Sequence, residues 1–190
     1  MREVAIGLRS GEGGAACVAL ARTAGALSVV GRRAVALTEP TATLAPFHAA
    51  TEAPDRADEI IDAAVAYANV QAEAVVADLV AELGDVAHVG VVLGNAPPPD
   101  RALALRSHVA SHAAEGALHR DALLYGASST GLPVFALPER EVLGALAAAW
   151  PDGTARLDAL HESAGRPWRK PEKLAAAIAI LSFDAGVAAE

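Results

Sequence analysis

Three histidines and a glutamate recur at helical spacing in the middle of the chain, within residues 107–120. They are His108, His112, Glu115 and His119. At about 100° of rotation per residue, the four side chains fall within an arc of about 60° on one helix face. A histidine pair four residues apart can bind one metal ion, and a carboxylate three residues further on can join it. The spacing therefore predicts a site for one divalent ion at His108, His112 and Glu115.

The same face has two other interpretations. His119 lies about 16 Å beyond His108 along the helix axis, so one ion cannot bind at both ends. In one interpretation the face is an acid–base or ligand-binding surface, which His48 from an earlier segment would complete. In the other it is a polar surface that faces solvent or a partner. The candidate catalytic residues are therefore His48, His108, His112, Glu115 and His119.

A second candidate site lies in the most basic stretch of the chain, residues 165–170. Arg166, Arg169 and Lys170 surround Trp168 there. Cationic side chains bind phosphate, and an exposed indole ring stacks on a nucleobase. The simpler interpretation is a loop in which Trp168 packs at the edge of the core.

Three glycine and cysteine features have structural interpretations. The glycine-rich residues 10–14 would let the backbone approach a phosphate, as in actin-like ATPases, but they lack the P-loop pattern and equally form a hairpin turn. Gly116 costs about 1 kcal/mol relative to alanine inside a helix, which predicts close packing against another helix or strand. Cys17, in an apolar stretch, is expected to be a buried small hydrophobe.

Composition excludes several classes of protein. The 190 residues carry 15 basic and 23 acidic side chains, for a net charge of −8, which disfavours bulk nucleic-acid binding. The 53% apolar content argues against disorder. A single cysteine excludes a disulfide scaffold and favours a reducing compartment. No apolar run reaches the roughly 18 residues of a membrane span. We expect one soluble, cytoplasmic domain over residues 1–190.

Hydrophobic patterning predicts the elements that position these residues. Three short apolar runs separated by glycine turns predict a β-meander at residues 4–8, 15–20 and 26–37, before an irregular crossing at 38–51. Further strands are predicted at 86–93 and 132–137. Helices are predicted at 55–83, from 100 to about 125, and at 139–150, 157–161 and 171–181, with a turn at 151–153. A meander followed by βα units requires a mixed α/β sheet with helices on both faces.

Three stretches carry a family resemblance: residues 7–11, 131–135 and 170–177. With the element order, they resemble the RuvC-type Holliday junction resolvases of the ribonuclease H-like superfamily. In that group the first strand ends in Gly-Ile-Asp-Pro-Gly, a short strand precedes the third helix, and an acidic, alanine-rich helix follows. The resemblance implies a ribonuclease H-like mixed sheet and a nuclease site in which two divalent ions clamp a phosphodiester.

The chain departs from this family at the metal-binding acids. Arg9 stands where the first-strand aspartate is expected, and the fourth strand ends in Gly94 and Asn95. In the last helix Glu172 matches one acidic position, but Ala175 stands at the other. A guanidinium repels a divalent cation at short range. The resemblance therefore implies a diverged domain without two-metal nuclease activity.

Three hypotheses of function follow from these residues. The first is binding of an anionic ligand or a partner at residues that the fold would bring together: Arg9, Ser10, Gly11, Arg166, Trp168, Arg169, Lys170 and Glu172. The second is a metal-dependent hydrolase that uses His108, His112 and Glu115. The third is a structural or assembly protein, because the alanine-rich helix at 55–83 presents small residues on which a homodimer can form.

Overall fold

The computed structural model describes residues 1–11, 13–38, 45–166 and 168–185. Its five strands are β1 (Arg2–Gly11), β2 (Gly14–Thr23), β3 (Ala26–Ala36), β4 (Val86–Leu93) and β5 (Val134–Pro138). They form one sheet in the order β3-β2-β1-β4-β5. β1, β2 and β3 pair antiparallel, whereas β4 pairs parallel with both β1 and β5. The predicted meander and mixed sheet are confirmed.

Helices cover both faces of this sheet, as predicted. They are α1 (Pro46–Glu52), α2 (Ala57–Leu83), α3 (Arg101–Ala104), α4 (His108–Ser129), α5 (Glu139–Ala149), α6 (Gly153–Ala164) and α7 (Lys170–Ala185), with a 3-10 turn at Pro54–Arg56. One buried cluster joins α1, α2 and α4 to the sheet. A second joins α5, α6 and α7 to the opposite face. Each face of the sheet therefore has its own hydrophobic core.

α7 lies closely against the centre of the sheet because both surfaces carry small residues. Every residue of α7 from Ala175 to Ile180 is fully buried. A Cβ atom at Gly7 of β1 would overlap the Ala175 carbonyl, and one at Gly90 of β4 would lie 2.7 Å from the Ile178 carbonyl oxygen. Only glycine at these two positions permits this separation between helix and sheet.

On the other face, α2 and α4 make a similarly close contact, but not at the predicted glycine. A Cβ atom at Gly126 of α4 would lie 2.6 Å from the backbone of Ala72 in α2. Gly116 was expected to make such a contact; its space is instead bounded by the Arg120 guanidinium, 3.2 Å from a Cβ at that position. The close packing along α4 thus occurs at Gly126.

Two regions differ from the sequence prediction. The single helix expected from residue 100 is two helices: the Asp100 carboxylate caps α3 by accepting from the Leu103 N–H (2.7 Å), and the Ser107 hydroxyl caps α4. The irregular crossing expected at 38–51 contains α1, which packs into the core through buried Phe47. Residues 39–44 of that crossing lie outside the described residues. Smaller differences lie at α6, which begins at Gly153 rather than Leu157, and at β5, which begins at Val134.

Residues 54–83 are long and apolar enough to cross a membrane by length and composition alone. In the fold, however, α2 packs against α4 through buried residues such as Ile61 and Leu79. Its outer face carries acidic side chains, including Asp62 and Glu73. α2 is thus a layer of the α/β fold, and its length and composition are weak evidence for a membrane span.

Candidate functional site

The carboxyl ends of β1 and β4 open into a cleft of about 570 Å³. Its polar walls come from four elements and include Arg9, Asn95, Glu115, His119, Arg120 and Glu139. Ser10 and Gly11, which are predicted from the sequence to bind a ligand, line the same cleft. Ligands of open α/β sheets bind where the carboxyl ends of adjacent parallel strands meet. The cleft is therefore the candidate binding site of the fold.

Glu139 joins three elements at the edge of this cleft. It is the first residue of α5, and its carboxylate accepts from Arg9 Nη2 at 3.0 Å and from Lys170 Nζ, at the start of α7, at 2.7 Å. The hydrogen bond from Lys170, reinforced by Arg9, holds the pKa of Glu139 below its usual range against the opposing effect of burial. The anion is thus shared between two cations, which leaves this cluster with a net positive charge.

Arg120 projects from α4 into the floor of the cleft. Its guanidinium occupies the space that a side chain at position 94 would fill, 2.5 Å from a Cβ built on Gly94. Burial lowers the pKa of Arg120, while Asp121 raises it. Within the part of the chain that the structure describes, the guanidinium has no hydrogen-bond or ion-pair partner. A half-buried cation in this position favours an anion beside it.

His119 lies next to Arg120 and is almost fully buried, with 3% of its surface exposed. Its Nε2 atom has no hydrogen-bond partner among the described residues. Burial lowers the pKa of His119, although the Glu115 carboxylate acts in the opposite direction. Burial therefore favours the neutral imidazole, whose Nε2 atom is buried without a partner among the described residues.

The remaining residues of the predicted histidine face form a cluster with His48 of α1. His48 Nδ1 lies 2.8 Å from Glu115 Oε1, and its Nε2 lies 2.9 Å from His108 Nδ1. His112 Nδ1 lies 3.4 Å from Glu115 Oε2. We call His48, His108, His112 and Glu115 the histidine cluster; it borders the cleft because His112 and Glu115 also line it. The structure thus brings His48 to the predicted face, and it leaves His119 apart from the cluster.

The residues of the basic loop line two depressions. Arg169 and Glu172 line a groove beside the cleft together with Arg9. Arg169 also lines a second depression, together with His161, Arg166 and Trp168. Trp168 is 7% exposed and its indole stacks on His161, with ring centroids 6.0 Å apart. The ring packs into the core, which agrees with the simpler interpretation of the loop and not with an exposed, base-stacking Trp168.

Sequence reasoning missed two of the cleft residues, Arg120 and Glu139. Glu139 directly follows β5, a parallel strand whose carboxyl end lies at the same edge of the sheet as those of β1 and β4. Its position directly after a parallel strand could therefore have identified Glu139 as a cleft residue. For Arg120 the signal was Gly116 one helical turn earlier, since the missing side chain leaves room for the guanidinium.

Two solved structures of RuvC are similar to this chain over nearly its whole length. The Thermus thermophilus RuvC structure in complex with a Holliday junction substrate is 16% identical and aligns with a TM-score of 0.59, covering 98% of this chain and 96% of that chain. A second Thermus thermophilus RuvC structure is 18% identical, with a TM-score of 0.55 and coverage of 98% and 97%. No protein-family model and no curated protein matches the chain. The chain therefore has the ribonuclease H-like fold of RuvC.

The residues at the strand ends do not suit the pair of divalent ions that the family resemblance implies. Arg9 occupies the end of β1 with its charge directed at Glu139. Glu172 accepts from the Arg169 backbone N–H at 2.9 Å, where it caps the start of α7. The cleft glutamates among the described residues are Glu115 and Glu139, and each is already bound to basic or imidazole groups. Two guanidiniums beside these few carboxylates oppose the binding of two dications.

Proposed function

We propose that this protein binds a small anionic ligand, of the phosphate or carboxylate class, in the cleft at the ends of β1 and β4, without two-metal nuclease activity. The observation that carries the proposal is Arg120, a half-buried guanidinium that has no hydrogen-bond or ion-pair partner among the described residues, with Asp121 and Glu139 attracting it only at longer range. A desolvated cation without a counter-ion is costly unless an anion pairs with it. A bound phosphate or carboxylate would accept from the planar guanidinium at two points.

Neighbouring groups support the same ligand. Arg9 and Lys170 together carry two positive charges against the single charge of Glu139. Ser10 adds a hydroxyl to the cleft, and His119 lines it with a ring whose neutral form burial favours. The two guanidiniums of the cleft, Arg9 and Arg120, balance the carboxylates of Glu115 and Glu139, and Lys170 beside Glu139 adds one positive charge, in a chain whose net charge is −8. Such a field attracts a small anion locally while the rest of the surface disfavours a polyanion.

The size of the cleft favours a small molecule over a nucleic-acid duplex. Small-molecule sites usually enclose about 300–1,000 Å³, and this cleft encloses about 570 Å³. The buried Trp168 also leaves the basic loop without an exposed ring for a base to stack on. A phosphate ester or a small di- or tricarboxylate fits these conditions.

Isothermal titration calorimetry with inorganic phosphate, pyrophosphate and citrate tests the proposal. Arg120→Ala should weaken binding about 10- to 100-fold, the effect of losing a charged hydrogen bond of about 1.5–3 kcal/mol. The matched control is Arg156→Ala, which removes the same charge from α6, where Arg156 pairs with Asp152. An absence of binding at millimolar concentration of all three anions, or equal weakening in both variants, would overturn the anion site.

The absence of two-metal chemistry is tested with branched and single-stranded DNA in magnesium or manganese. We expect no cleavage above that of buffer. Robust cleavage that disappears in Glu172→Ala, in a sample whose circular dichroism shows an intact fold, would contradict the proposal.

We also propose that the protein works in the cytoplasm. Its one cysteine, Cys17, is buried in β2 and is free. A free thiol and the absence of a second cysteine agree with a reducing compartment.

A further inference from the structure

We infer that His48, His108 and His112 bind one divalent transition-metal ion of the zinc class, and that Glu115 positions His48 for this role instead of binding the ion. This inference rests on the histidine cluster alone and does not depend on the anion site. It changes the site predicted from the sequence in two ways: His48 becomes a ligand, and Glu115 becomes a positioning residue.

The three imidazoles surround one point. The ring centroids of His48 and His108 lie 4.8 Å apart, and His112 lies 4.6 Å from each. One nitrogen from each ring can be chosen so that all three lie within 4.8 Å of one another. An ion with nitrogen ligands at about 2.0–2.1 Å in a tetrahedron separates those nitrogens by about 3.3 Å. The observed 2.9 Å between His48 Nε2 and His108 Nδ1 requires a change of less than about half an ångström to reach that spacing, whereas the widest separation in the set, 4.8 Å, must shorten by about 1.5 Å.

Glu115 determines which nitrogen of His48 faces the centre. Its carboxylate is buried, with 10% of the side chain exposed, and lies 2.8 Å from His48 Nδ1. It also accepts from the backbone N–H of His48 at 3.4 Å. A carboxylate at Nδ1 keeps the proton there and leaves the Nε2 lone pair free for a metal. This is the carboxylate–histidine–metal arrangement in which the acid acts through the ligand.

The two helices that carry the ligands are fixed by the core. Phe47, next to His48, is buried and anchors α1. The Ser107 hydroxyl caps α4 immediately before His108, and Ser111, next to His112, donates to the Ala104 carbonyl at 2.6 Å. Because the helices are anchored, the adjustment needed to bind an ion falls on the imidazole side chains and not on the backbone.

The ligand set indicates the class of ion and the kind of site. Imidazole nitrogens favour zinc, copper, nickel and cobalt over magnesium or calcium. His108 and His112 are exposed, so a fourth position remains open to water. Three histidines with one open position are typical of zinc sites that activate water. Such an ion would lie beside the cleft, because His112 also lines it.

Cobalt(II) titration of the metal-free, full-length protein tests the inference without an activity assay. We expect the visible absorption of tetrahedral cobalt to saturate at one equivalent and to disappear when zinc is added. His48→Ala and His112→Ala should each abolish this saturation, whereas His161→Ala, which removes a histidine from α6, should preserve it. A wild-type protein that gives no cobalt absorption, or variants that all bind alike, would overturn the site.

Glu115→Gln separates the two roles of the glutamate. If Glu115 is a positioning residue, the variant should keep the one-equivalent cobalt spectrum. Its affinity for the ion should fall by about 10- to 100-fold, the usual effect of losing a hydrogen-bond partner of a metal ligand. Circular dichroism identifies an unfolded variant, and the conservative Glu115→Asp serves in its place if Gln unfolds the chain. A changed or lost spectrum in a folded variant would show that Glu115 binds the ion directly and overturn its positioning role.

Discussion

Glu139 illustrates how one side chain at the cleft couples charge to stability. Arg9 and Lys170 both donate to it, and its pKa is lowered, chiefly by the hydrogen bond from Lys170. A carboxyl whose pKa is lower in the folded state stabilises the fold at pH values above its unfolded pKa, here 4.5. That contribution is lost as the pH falls through the lower, folded value.

We therefore expect acid to destabilise the protein partly through Glu139. Glu139→Gln should lower the free energy of unfolding at pH 7 by about 1–2 kcal/mol. It should also flatten the loss of stability below pH 4.5. Urea denaturation at several pH values measures both effects. If the variant loses stability below pH 4.5 as steeply as the wild type does, other carboxyls account for that loss.

His119 gives a second pH dependence, at higher pH. Burial lowers its pKa below 6.5, so the folded state favours the neutral imidazole. The stabilising contribution is complete above the unfolded pKa and is lost as the pH falls below 6.5. His119→Gln should reduce the fall in melting temperature between pH 7 and pH 5, measured by scanning calorimetry. The control is His161→Gln, on α6 outside the cleft; an equal reduction there would contradict the assignment.

The sequence predicted the histidine face but not the rest of the site. Helical spacing alone places His108, His112 and Glu115 on one face. It cannot show that Glu115 is buried while His112 is exposed, because burial depends on how α1 packs across α4. The sequence did not predict a role for Arg120 for the same reason, because Gly94 on a different element forms its environment. Metal and anion ligands that come from several elements require tertiary structure.

At the scale of elements, glycines determine how closely helices lie. Gly126 is in van der Waals contact with the backbone of α2, where a Cβ atom would lie 2.6 Å from Ala72. Gly144, in the middle of α5, has no atom within 4 Å of a Cβ at its position. Both glycines lie in helices, but only Gly126 is required by packing.

Alanine substitutions at the two positions should therefore have opposite effects. Gly126→Ala should destabilise the fold by about 1–3 kcal/mol, because two backbones must move apart. Gly144→Ala should stabilise it by about 0.5–1 kcal/mol, since alanine restricts the unfolded chain and favours helix. Urea denaturation of both variants checks the signs. Destabilisation by Gly144→Ala would contradict the packing described for α5.

The element order was predictable, but several boundaries were not. The β-meander and the long helix α2 follow from glycine turns and from apolar residues three and four positions apart. The division between α3 and α4 depends on two competing caps, Asp100 and Ser107, within one continuous helical pattern. α1 was missed because its seven residues are too few to show a helical period, and packing of Phe47 stabilises it.

At the scale of the whole molecule, the outer face of α2 is the surface on which we expect a homodimer. Val70 is 60% exposed there, among alanines that permit close approach. Light scattering at micromolar concentration should give the mass of a dimer, and Val70→Glu should shift it toward the monomer. Leu143→Glu, an equally charged change at an exposed leucine of α5, is the control. A wild-type monomer would contradict the expectation.

The absence of a side chain at Gly7 has a consequence for the charges at the far end of its strand. Gly7 lets α7 lie against β1, and Lys170 at the start of α7 reaches the same carboxylate as Arg9, two residues beyond Gly7. Added bulk at position 7 would lift the helix and draw the ammonium group away from its carboxylate. A methyl group at position 7, far from any ligand, would therefore change the electrostatics at the mouth of the cleft.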